Sequence, residues 1–389
     1  MRIGLDLLYL LPGETGGREA YARELIPQLR RQAPDMELVA FVSRDAGHDL
    51  GKELGDDIAT VVLPASARSR AQWAVGELAM IARAAHRSGV DLVHSLANFA
   101  PIHGRFKRVV TIHDLQYRAV PELSGHLARA ATSVLVSAGA HRADRVITVS
   151  HSAAREVRSG LRISADRIDV VPNGVRPVSP PGERPSTLPP TGERALVLAV
   201  ATNLPHKNLP RLIQAAAAIP SAKRPLLVLA GHGTDHPSLG GLARAEGVAD
   251  TTYLLGAVSP GSLEWLYASA DCLVLASLHE GFGLPVLEAM SRSVPVACSD
   301  LPALREVADG TALYFDPRSP SRIAARIQEI LNNPALASHM RETGRERASR
   351  FSWSHAAKGT LASYRRALAS HQAPGSLGEE LTGARPGSR

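Results

Sequence analysis

The sequence predicts an α/β protein with two doubly wound domains, each a parallel sheet covered by helices. Short apolar runs rich in Val, Ile and Leu alternate with longer segments of helical period along most of the chain. Such runs are expected where a parallel sheet is buried on both faces. The length of 389 residues exceeds what one core ordinarily supports and suits two domains of roughly 150 to 200 residues.

The first half of the chain predicts an N-terminal Rossmann-like domain over residues 1–175. Its strands are predicted at Arg2–Leu5, Glu37–Val42, Thr60–Leu63, Leu92–His94, Val109–Ile112, Val146–Val149 and Asp169–Val171. Helices are predicted at Tyr21–Arg31, Gln72–Arg87, Leu127–Ala140 and Ser152–Ser159. This alternation of strand and helix is typical of a doubly wound fold.

A change of composition separates the two domains. Positions 172–191 hold seven prolines and little apolar material, which predicts a linker at 176–193. A second Rossmann-like domain then spans 194–352. Its strands are predicted at Ala195–Ala201, Leu226–Ala230, Thr252–Leu255, Cys272–Leu275, Pro295–Cys298 and Leu313–Phe315. Its helices are predicted at Leu209–Ala218, Leu239–Glu246, Leu263–Ala268 and Pro285–Arg292.

The C-terminal part of the chain is predicted to be helical and then disordered. Helical segments follow the last strand at Ser321–Leu331, Pro334–Ala348 and His355–Ala369. We expect a helix at 353–370 to cross back to the N-terminal domain. Residues 371–389 are rich in Gly, Pro and Ser, which predicts a disordered tail.

Composition limits the classes of function. The net charge of +7 is spread over both halves, which argues against nucleic-acid binding and leaves room for small anions. Two cysteines cannot build a disulfide framework, so we expect a cytoplasmic protein. No apolar run approaches the roughly 20 residues that span a bilayer. We therefore expect at most peripheral contact with the inner face of a membrane.

The most informative motif follows the predicted strand Cys272–Leu275 and reads EGFGLPVLE. Gly281 and Gly283 let the backbone approach a ligand, and Pro285 suits the first turn of a helix. The free amides of that turn and the positive end of the helix dipole favour an anion. Glu280 and Glu288 add a carboxylate on either side. The residues alone therefore indicate either an anion site or a capped helix with two solvated glutamates.

This nonapeptide resembles the signature of the retaining GT-B glycosyltransferases of family 4. Other family landmarks occur in the expected order over nearly the whole chain. They are Gly16-Gly17, Thr111-Ile112-His113-Asp114, Val149-Ser150-His151-Ser152, Val171-Pro172-Asn173-Gly174-Val175 and Pro205-His206-Lys207-Asn208. The resemblance implies two Rossmann-like domains that face each other across a cleft, with the acceptor on the N-terminal domain and a nucleotide sugar on the C-terminal one.

The resemblance also implies roles for the residues of the signature. Glu280 would contact hydroxyls of the donor sugar, and Glu288 would contact the ribose hydroxyls. Backbone groups at Gly281, Phe282, Gly283 and Leu284 would hold phosphate and sugar oxygens.

A lysine after the first strand of the second domain is placed to stabilise the leaving diphosphate. Lys207 would supply this charge. Many family members carry a second basic residue nearby, and this chain departs from that pattern. His206 is the neighbour, and Thr202 and Asn203 occupy the upstream positions where an arginine is common. Whether a protonated His206 supplies the second charge stays open at this point.

Strand ends of both domains provide the remaining candidates. His113 ends a predicted strand at the cleft and would lie close to the reacting sugar. Gly16 and Gly17 open the first helix, whose amides would approach the distal phosphate. Gly256 resembles the segment near the nucleobase. The loop 231–236 holds two histidines and an aspartate, and we interpret it as a solvated loop without metal.

These observations predict a retaining, metal-independent hexosyltransferase without a cofactor. Its catalytic residues would be His113, Lys207 and Glu280, its donor a UDP- or GDP-sugar, and its acceptor a hydroxyl of a small molecule, a glycan or a lipid-linked compound. A homodimer is possible. A nucleotide-sugar epimerase on the same scaffold and a non-catalytic two-domain anion-binding module stay open as alternatives. The loops at Ala65–Gln72 and Arg118–Gly125 are candidates for acceptor choice.

Overall fold

The computed structural model describes residues 1–47, 49–55, 57–119, 126–190 and 192–369. The predicted tail at 371–389 and part of the predicted acceptor loop at Arg118–Gly125 lie outside these residues. The chain forms two parallel sheets, which confirms the predicted α/β class with two doubly wound domains.

The first sheet belongs to the N-terminal half and has seven strands. They are β1 (Arg2–Leu7), β2 (Glu37–Ser43), β3 (Ala59–Leu63), β4 (Leu92–Ser95), β5 (Lys107–Ile112), β6 (Arg145–Thr148) and β7 (Ile168–Val170). Their order in the sheet is β3-β2-β1-β4-β5-β6-β7. The order reverses beside β1, and such a switch point leaves a crevice at the carboxyl ends of the strands.

The second sheet has six strands in the C-terminal half. They are β8 (Leu196–Val200), β9 (Leu226–Ala230), β10 (Thr252–Gly256), β11 (Cys272–Leu275), β12 (Val296–Ser299) and β13 (Leu313–Phe315). The order β10-β9-β8-β11-β12-β13 places the switch point beside β8. Strands β9, β11 and β12 are buried along their whole length because helices cover both faces.

Helices connect the strands and cover the sheets. In the N-terminal half they are α1 (Gly17–Gln32), α2 (Asp49–Leu54), α3 (Arg70–Val75), α4 (Ile81–Arg87), α5 (Gln116–Ala119), α6 (His126–Arg142) and α7 (His151–Leu161). The others are α8 (Leu209–Ala217), α9 (Pro237–Ala245), α10 (Pro260–Ser269), α11 (Leu284–Ser291), α12 (Pro302–Ala308), α13 (Pro320–Leu331), α14 (Pro334–Ser349) and α15 (Trp353–Ala369).

One predicted helix is interrupted. The sequence predicts a helical segment over Gln72–Arg87, and within it a π-helical turn at Gly76–Met80 separates α3 from α4. Glu77 lies in this turn and is buried, and its carboxylate accepts the Trp73 Nε1 hydrogen at 2.8 Å. Burial, and then the nearby charge of Asp6, raise the pKa of Glu77 well above its ordinary value. A hydrophobic period of this length does not distinguish an α-helical from a π-helical turn, so the sequence pattern does not show where the helix type changes.

The last helix, α15, packs on the N-terminal domain. It contacts α1, β5, β6 and β7. A buried hydrogen-bond network anchors it: His94 Nδ1 lies 2.7 Å from the Tyr364 hydroxyl, and His94 Nε2 lies 2.8 Å from Thr111 Oγ1. The Tyr21 hydroxyl of α1 lies 3.1 Å from the same threonine oxygen. These contacts join the C-terminal helix to β4, β5 and α1.

The two chain crossings between the domains lie side by side. Val175 and Ser352 form a parallel bridge, and a Cβ at Gly174 would stand 2.0 Å from the Trp353 amide nitrogen. The linker then runs along the second domain, where the Gly182 amide donates to the Gly261 carbonyl at 3.0 Å. Leu188 of the linker is fully buried. Across the described residues, no helix has both the length and the apolar content that a membrane span requires.

We expect His94 to make the fold sensitive to acid. Burial, with a smaller effect from the charge of His113, lowers the pKa of His94 from 6.5 to about 3. Between these pH values the unfolded chain binds a proton that the folded chain does not, so stability falls as pH falls from 6.5. In urea titrations between pH 4 and 6.5, His94→Gln should reduce the pH slope of the unfolding free energy by up to about 1.4 kcal/mol per pH unit.

The matched control is His103→Gln, because His103 is exposed. This control should keep the wild-type slope. If His94→Gln also kept it, protonation of His94 would not oppose folding.

Candidate active site in the interdomain cleft

A cavity of about 400 Å³ lies between the two domains. Its walls come from segments that follow strands in both sheets: residues 13–18 after β1, His113 and Asp114 after β5, Thr202 to Lys207 after β8, and the 280–288 segment after β11. Because parallel strands end at one edge of a sheet, these segments converge. The cleft is therefore where polar side chains of the two domains meet.

A backbone contact at Gly281 sets the distance between the domains in this cleft. A Cβ at Gly281 would stand 1.9 Å from the carbonyl oxygen of His113, so no other residue fits without a shift. The Ser150 hydroxyl donates to the Gly281 carbonyl at 2.7 Å and accepts the Ala153 amide as the N-cap of α7. The Glu306 carboxylate accepts the amides of His151 and Ser152 at 2.7 and 2.9 Å, at the positive end of α7.

Lys207 and Glu280 form an ion pair at the cleft wall. Lys207 Nζ donates to Glu280 Oε1 at 2.6 Å, and the Ser277 hydroxyl donates to the same oxygen at 2.7 Å. The two side chains are 19% and 9% exposed. The next residue, Asn208, is buried and has a left-handed backbone conformation. Its side-chain amide donates to the backbone carbonyls of Ala276 and Pro317. These bonds hold the lysine segment against the end of β11.

The amino terminus of α11 faces the same cavity. Gly283 precedes it with a φ of +100°, a conformation that favours glycine. Leu284 and Pro285 form the first turn and line the cavity with Phe282. Amides in a first turn lack intrahelical acceptors, and the helix dipole adds positive potential there. The arrangement can therefore receive an anion beside Lys207.

Glu288 lies one turn further along α11 and is buried. Its Oε1 accepts from Arg176 Nη2 at 2.9 Å, and its Oε2 accepts from the Tyr267 hydroxyl at 2.9 Å. Burial first, and then the charge of Glu288, raise the pKa of Tyr267 well above its ordinary value. Arg176 Nε also donates to Oε1, at 3.2 Å. A carboxylate has about four acceptor positions, so Glu288 keeps capacity for about one further hydroxyl donor. Neither glutamate of the motif is a solvated surface residue.

His113 and His206 line the cavity as neutral rings. The pKa of each is lowered from 6.5 to about 4, chiefly by burial, and for His206 the charge of Lys207 contributes to the lowering. His113 Nε2 lies 2.8 Å from the Leu96 carbonyl, which can only accept, so this nitrogen carries the proton and Nδ1 is an acceptor. The ring of Tyr21 packs edge-on against His113 with centroids 4.8 Å apart. Burial therefore opposes a positive charge on His206, and a second charge from this ring at the diphosphate stays a prediction.

The structure brings most of the predicted site residues to the cavity, but not all of them. Gly16 and Gly17 line it with the residues described above. Asn203 and Gly256 lie beside it: the Asn203 amide donates to the His232 carbonyl at 2.9 Å, and the Gly256 amide donates to Thr234 Oγ1 at 3.0 Å.

Sequence reasoning missed three basic residues of the cavity: Arg18, Arg176 and His232. Arg18 directly follows the predicted glycine pair, and Arg176 directly follows the Val171–Val175 landmark. Because each arginine directly follows a family landmark, its place near the cleft could have been predicted from the sequence. His232 lies in the loop interpreted as solvated; its ring is exposed yet borders the cavity.

Two family models together match most of the chain. The model described as "Glycosyltransferase Family 4" matches residues 15–178, and the model described as "Glycosyl transferases group 1" matches residues 183–347. The chain belongs to glycosyltransferase family 4. It is therefore a glycosyltransferase, and the division between the two models falls in the proline-rich linker of this enzyme.

A curated relative and two solved structures are similar to this chain. O-antigen chain mannosyltransferase B of Escherichia coli is 29% identical over 283 residues, which is 71% of this chain and 74% of that protein. The chain spans 56 to 62% of the length of three further curated relatives. Sucrose-phosphate synthase from Thermosynechococcus elongatus superposes with a TM-score of 0.78 at 22% identity, covering 95% of this chain and 100% of that one.

The second structure is HepE of Anabaena in complex with UDP and glucose. It superposes with a TM-score of 0.73 at 18% identity, covering 94% of this chain and 99% of that one. At such identities the likeness shows the fold. The glycosyltransferase has the GT-B fold, as the sequence resemblance implied.

Gly281→Ala should push the two domains of the glycosyltransferase apart. The new Cβ would meet the His113 carbonyl, which is backbone and cannot rotate away. We expect a larger radius of gyration in small-angle X-ray scattering than for the unsubstituted protein.

Gly241→Ala is the matched control, because a Cβ at Gly241 in α9 meets nothing within 4 Å. Its radius should be that of the unsubstituted protein. An unchanged radius in Gly281→Ala would mean that the loop yields locally and does not set the domain contact.

Proposed function

We propose that this glycosyltransferase moves a hexosyl group from a UDP- or GDP-sugar to a hydroxyl of a small molecule, a glycan or a lipid-linked acceptor, with retention of anomeric configuration. One observation carries the proposal: the Lys207–Glu280 pair lies beside the first turn of α11 in a cleft between two Rossmann-like domains. A cation and free helix amides suit the diphosphate, and the adjacent carboxylate suits the sugar hydroxyls.

The diphosphate, the sugar and the ribose of the proposed donor each have a candidate partner in the cleft. Lys207 and the amides at Phe282, Gly283 and Leu284 would bind the diphosphate. Glu280 would accept hydroxyl hydrogens of the sugar. Glu288, held by Arg176 and Tyr267, would contact the ribose and accept a hydrogen from one of its hydroxyls.

His113 is placed to act at the reacting sugar. Its neutral ring presents an acceptor nitrogen, Nδ1, because the opposite nitrogen is bonded to Leu96. A sugar hydroxyl of donor or acceptor can donate to it. The edge contact with Tyr21 restricts rotation of the ring, which pre-organises the interaction.

The proposed reaction exchanges one bond for another at the anomeric carbon. The bond between this carbon and the diphosphate oxygen breaks, and the oxygen keeps the electron pair. The acceptor oxygen forms a new bond to the same carbon and loses its proton to the leaving phosphate. A nucleoside diphosphate and a glycoside result. The developing negative charge on the phosphate is what Lys207 and the α11 amides would stabilise.

The ion pair gives Lys207 a defined position before the donor binds. Ser277 bonds to the Glu280 carboxylate, and this carboxylate fixes the Lys207 ammonium group at the cleft wall. The lysine side chain therefore needs little reorganisation when the diphosphate binds. The ammonium has three donors, so it can bind a phosphate oxygen while it keeps Glu280.

The names of the relatives support transfer of a sugar, and none supports the epimerase alternative. The E. coli relative is named as a mannosyltransferase, and the Anabaena structure contains UDP and glucose. These names favour a nucleotide-sugar donor. The low cysteine content supports a cytoplasmic location.

Lys207→Ala and Glu280→Ala should each lower turnover by at least about tenfold, equivalent to about 1.4 kcal/mol of activation free energy. Each removes a group that we assign to the donor. The measurement is release of nucleoside diphosphate from UDP- and GDP-hexoses in the presence of a panel of hydroxyl acceptors.

Lys223→Ala is the control, because Lys223 is exposed and lies outside the cleft. Full activity of both Lys207→Ala and Glu280→Ala would contradict the assignment. Donor conversion that needs no acceptor would favour an epimerase, and nucleotide binding without release would favour the non-catalytic module.

We further propose that catalysis needs no metal ion, because lysine and helix amides supply the positive potential. Turnover in excess EDTA should equal turnover in untreated buffer. Complete inhibition that Mg²⁺ reverses would contradict this.

A further inference from the structure

The charged groups around the cleft are largely paired with one another. Lys207 is bonded to Glu280, and Arg176 to Glu288, each at less than 3 Å. Each pair is neutral as a unit. A diphosphate that leaves with more than one negative charge therefore needs further positive charge from the cavity wall.

Arg18 is the cavity-lining cation without a carboxylate partner among residues 1–47, 49–55, 57–119, 126–190 and 192–369. Its neighbour Glu19 is bonded to the Gly13 amide and to Arg23 instead. The Arg18 guanidinium carbon lies 5.8 Å from the Tyr9 ring centroid. Arg18 and His113 line the same cavity. The positive charge of Arg18 contributes to lowering the pKa of His113, after the larger effect of burial.

The backbone before Arg18 touches the elements that we assign to the diphosphate. A Cβ at Gly17 would stand 3.8 Å from Leu284 Cδ1, in the first turn of α11. A Cβ at Gly16 would stand 3.1 Å from Thr202 Oγ1, after β8. Arg18 follows these two glycines and lines the cavity from the N-terminal domain, whereas Lys207 lines it from the C-terminal domain.

Among the described residues that line the cavity, Asp114 is the acid besides Glu280 and Glu288. It accepts the Gln116 amide at 3.1 Å, and it raises the pKa of His113 where Arg18 lowers it. The two charges act on His113 in opposite senses without forming an ion pair among the described residues. The guanidinium keeps its donors available for a ligand.

We propose that Arg18 binds the distal phosphate of the nucleoside diphosphate and supplies the second positive charge of the leaving-group site. The inference rests on the proposed function. A guanidinium presents two parallel donors that match phosphate oxygens. Because the residue belongs to the domain that does not carry Lys207, the diphosphate bridges the two halves of the enzyme.

The test compares nucleotides that differ by this one phosphate. Dissociation constants for UDP, UMP, GDP and GMP are measured by isothermal titration calorimetry for the unsubstituted enzyme, Arg18→Ala, Arg18→Lys and Lys207→Ala. For the base that the enzyme binds, Arg18→Ala should weaken diphosphate binding at least about tenfold and change monophosphate binding less than about twofold. Arg18→Lys should give an intermediate loss because it keeps the charge without the planar fork.

Arg31→Ala is the matched control, since it removes the same charge from an exposed position near the other end of α1. It should bind both nucleotides as the unsubstituted enzyme does. Equal weakening of monophosphate and diphosphate by Arg18→Ala would overturn the proposal in favour of a structural role.

The remaining outcomes separate this proposal from the proposed function. If Lys207→Ala weakens diphosphate binding and Arg18→Ala does not, the donor site stands and the role of Arg18 is wrong. If Arg18→Ala raises KM only for a phosphorylated acceptor such as glucose 6-phosphate, the arginine serves the acceptor and the proposal is overturned. If the unsubstituted enzyme binds none of the nucleotides, both fail.

Discussion

The contact between Gly281 and the His113 carbonyl determines how the two domains of this glycosyltransferase meet. The absence of a side chain lets two backbones approach to a distance that any Cβ would forbid. Ser150 bonds to the same loop, and Glu306 caps α7 from the opposite domain. Because Glu280 precedes Gly281, this contact also brings the carboxylate of one domain to the histidine of the other. The arrangement of the candidate catalytic side chains therefore depends on how closely these two backbones approach each other.

The electrostatics of the cleft follow from partial burial. Charged groups that leave water require partners, and the structure gives Glu280 a lysine and Glu288 an arginine with a tyrosine. The histidines respond differently: burial lowers the pKa of His113 and His206 to about 4 and leaves both rings neutral. The resting cleft is thus a set of compensated charges and neutral acceptors. Arg18 departs from that pattern among the described residues, and this is why we assign it to an incoming anion.

The C-terminal helix α15 is connected to the cleft through a series of buried side-chain contacts. Tyr364 reaches His94 in the sheet, Thr111 links His94 to Tyr21, and Tyr21 packs against His113. A buried network in which every member has a partner favours one arrangement over others, because any unpaired polar group would be costly. The helix that follows the second domain therefore helps to position a side chain of the first. The adjacent chain crossings at Gly174 and Trp353 bring it there.

The sequence by itself determined the α/β class, the alternation of strands and helices, the proline-rich boundary and the loop around Glu280. Each depends on short-range patterns: the period of apolar residues, the conformations of glycine and proline, and a motif of nine positions. Only the tertiary structure determines which charged side chains pair with each other. Arg176 and Glu288 are 112 positions apart, and the sequence gives no sign that they are bonded. The same holds for the π-helical turn at Gly76–Met80, which contains the buried Glu77, and for the fact that Arg18 has no carboxylate partner among the described residues. Pairing of charges depends on distances in space between two domains, and local sequence patterns carry no information about those distances.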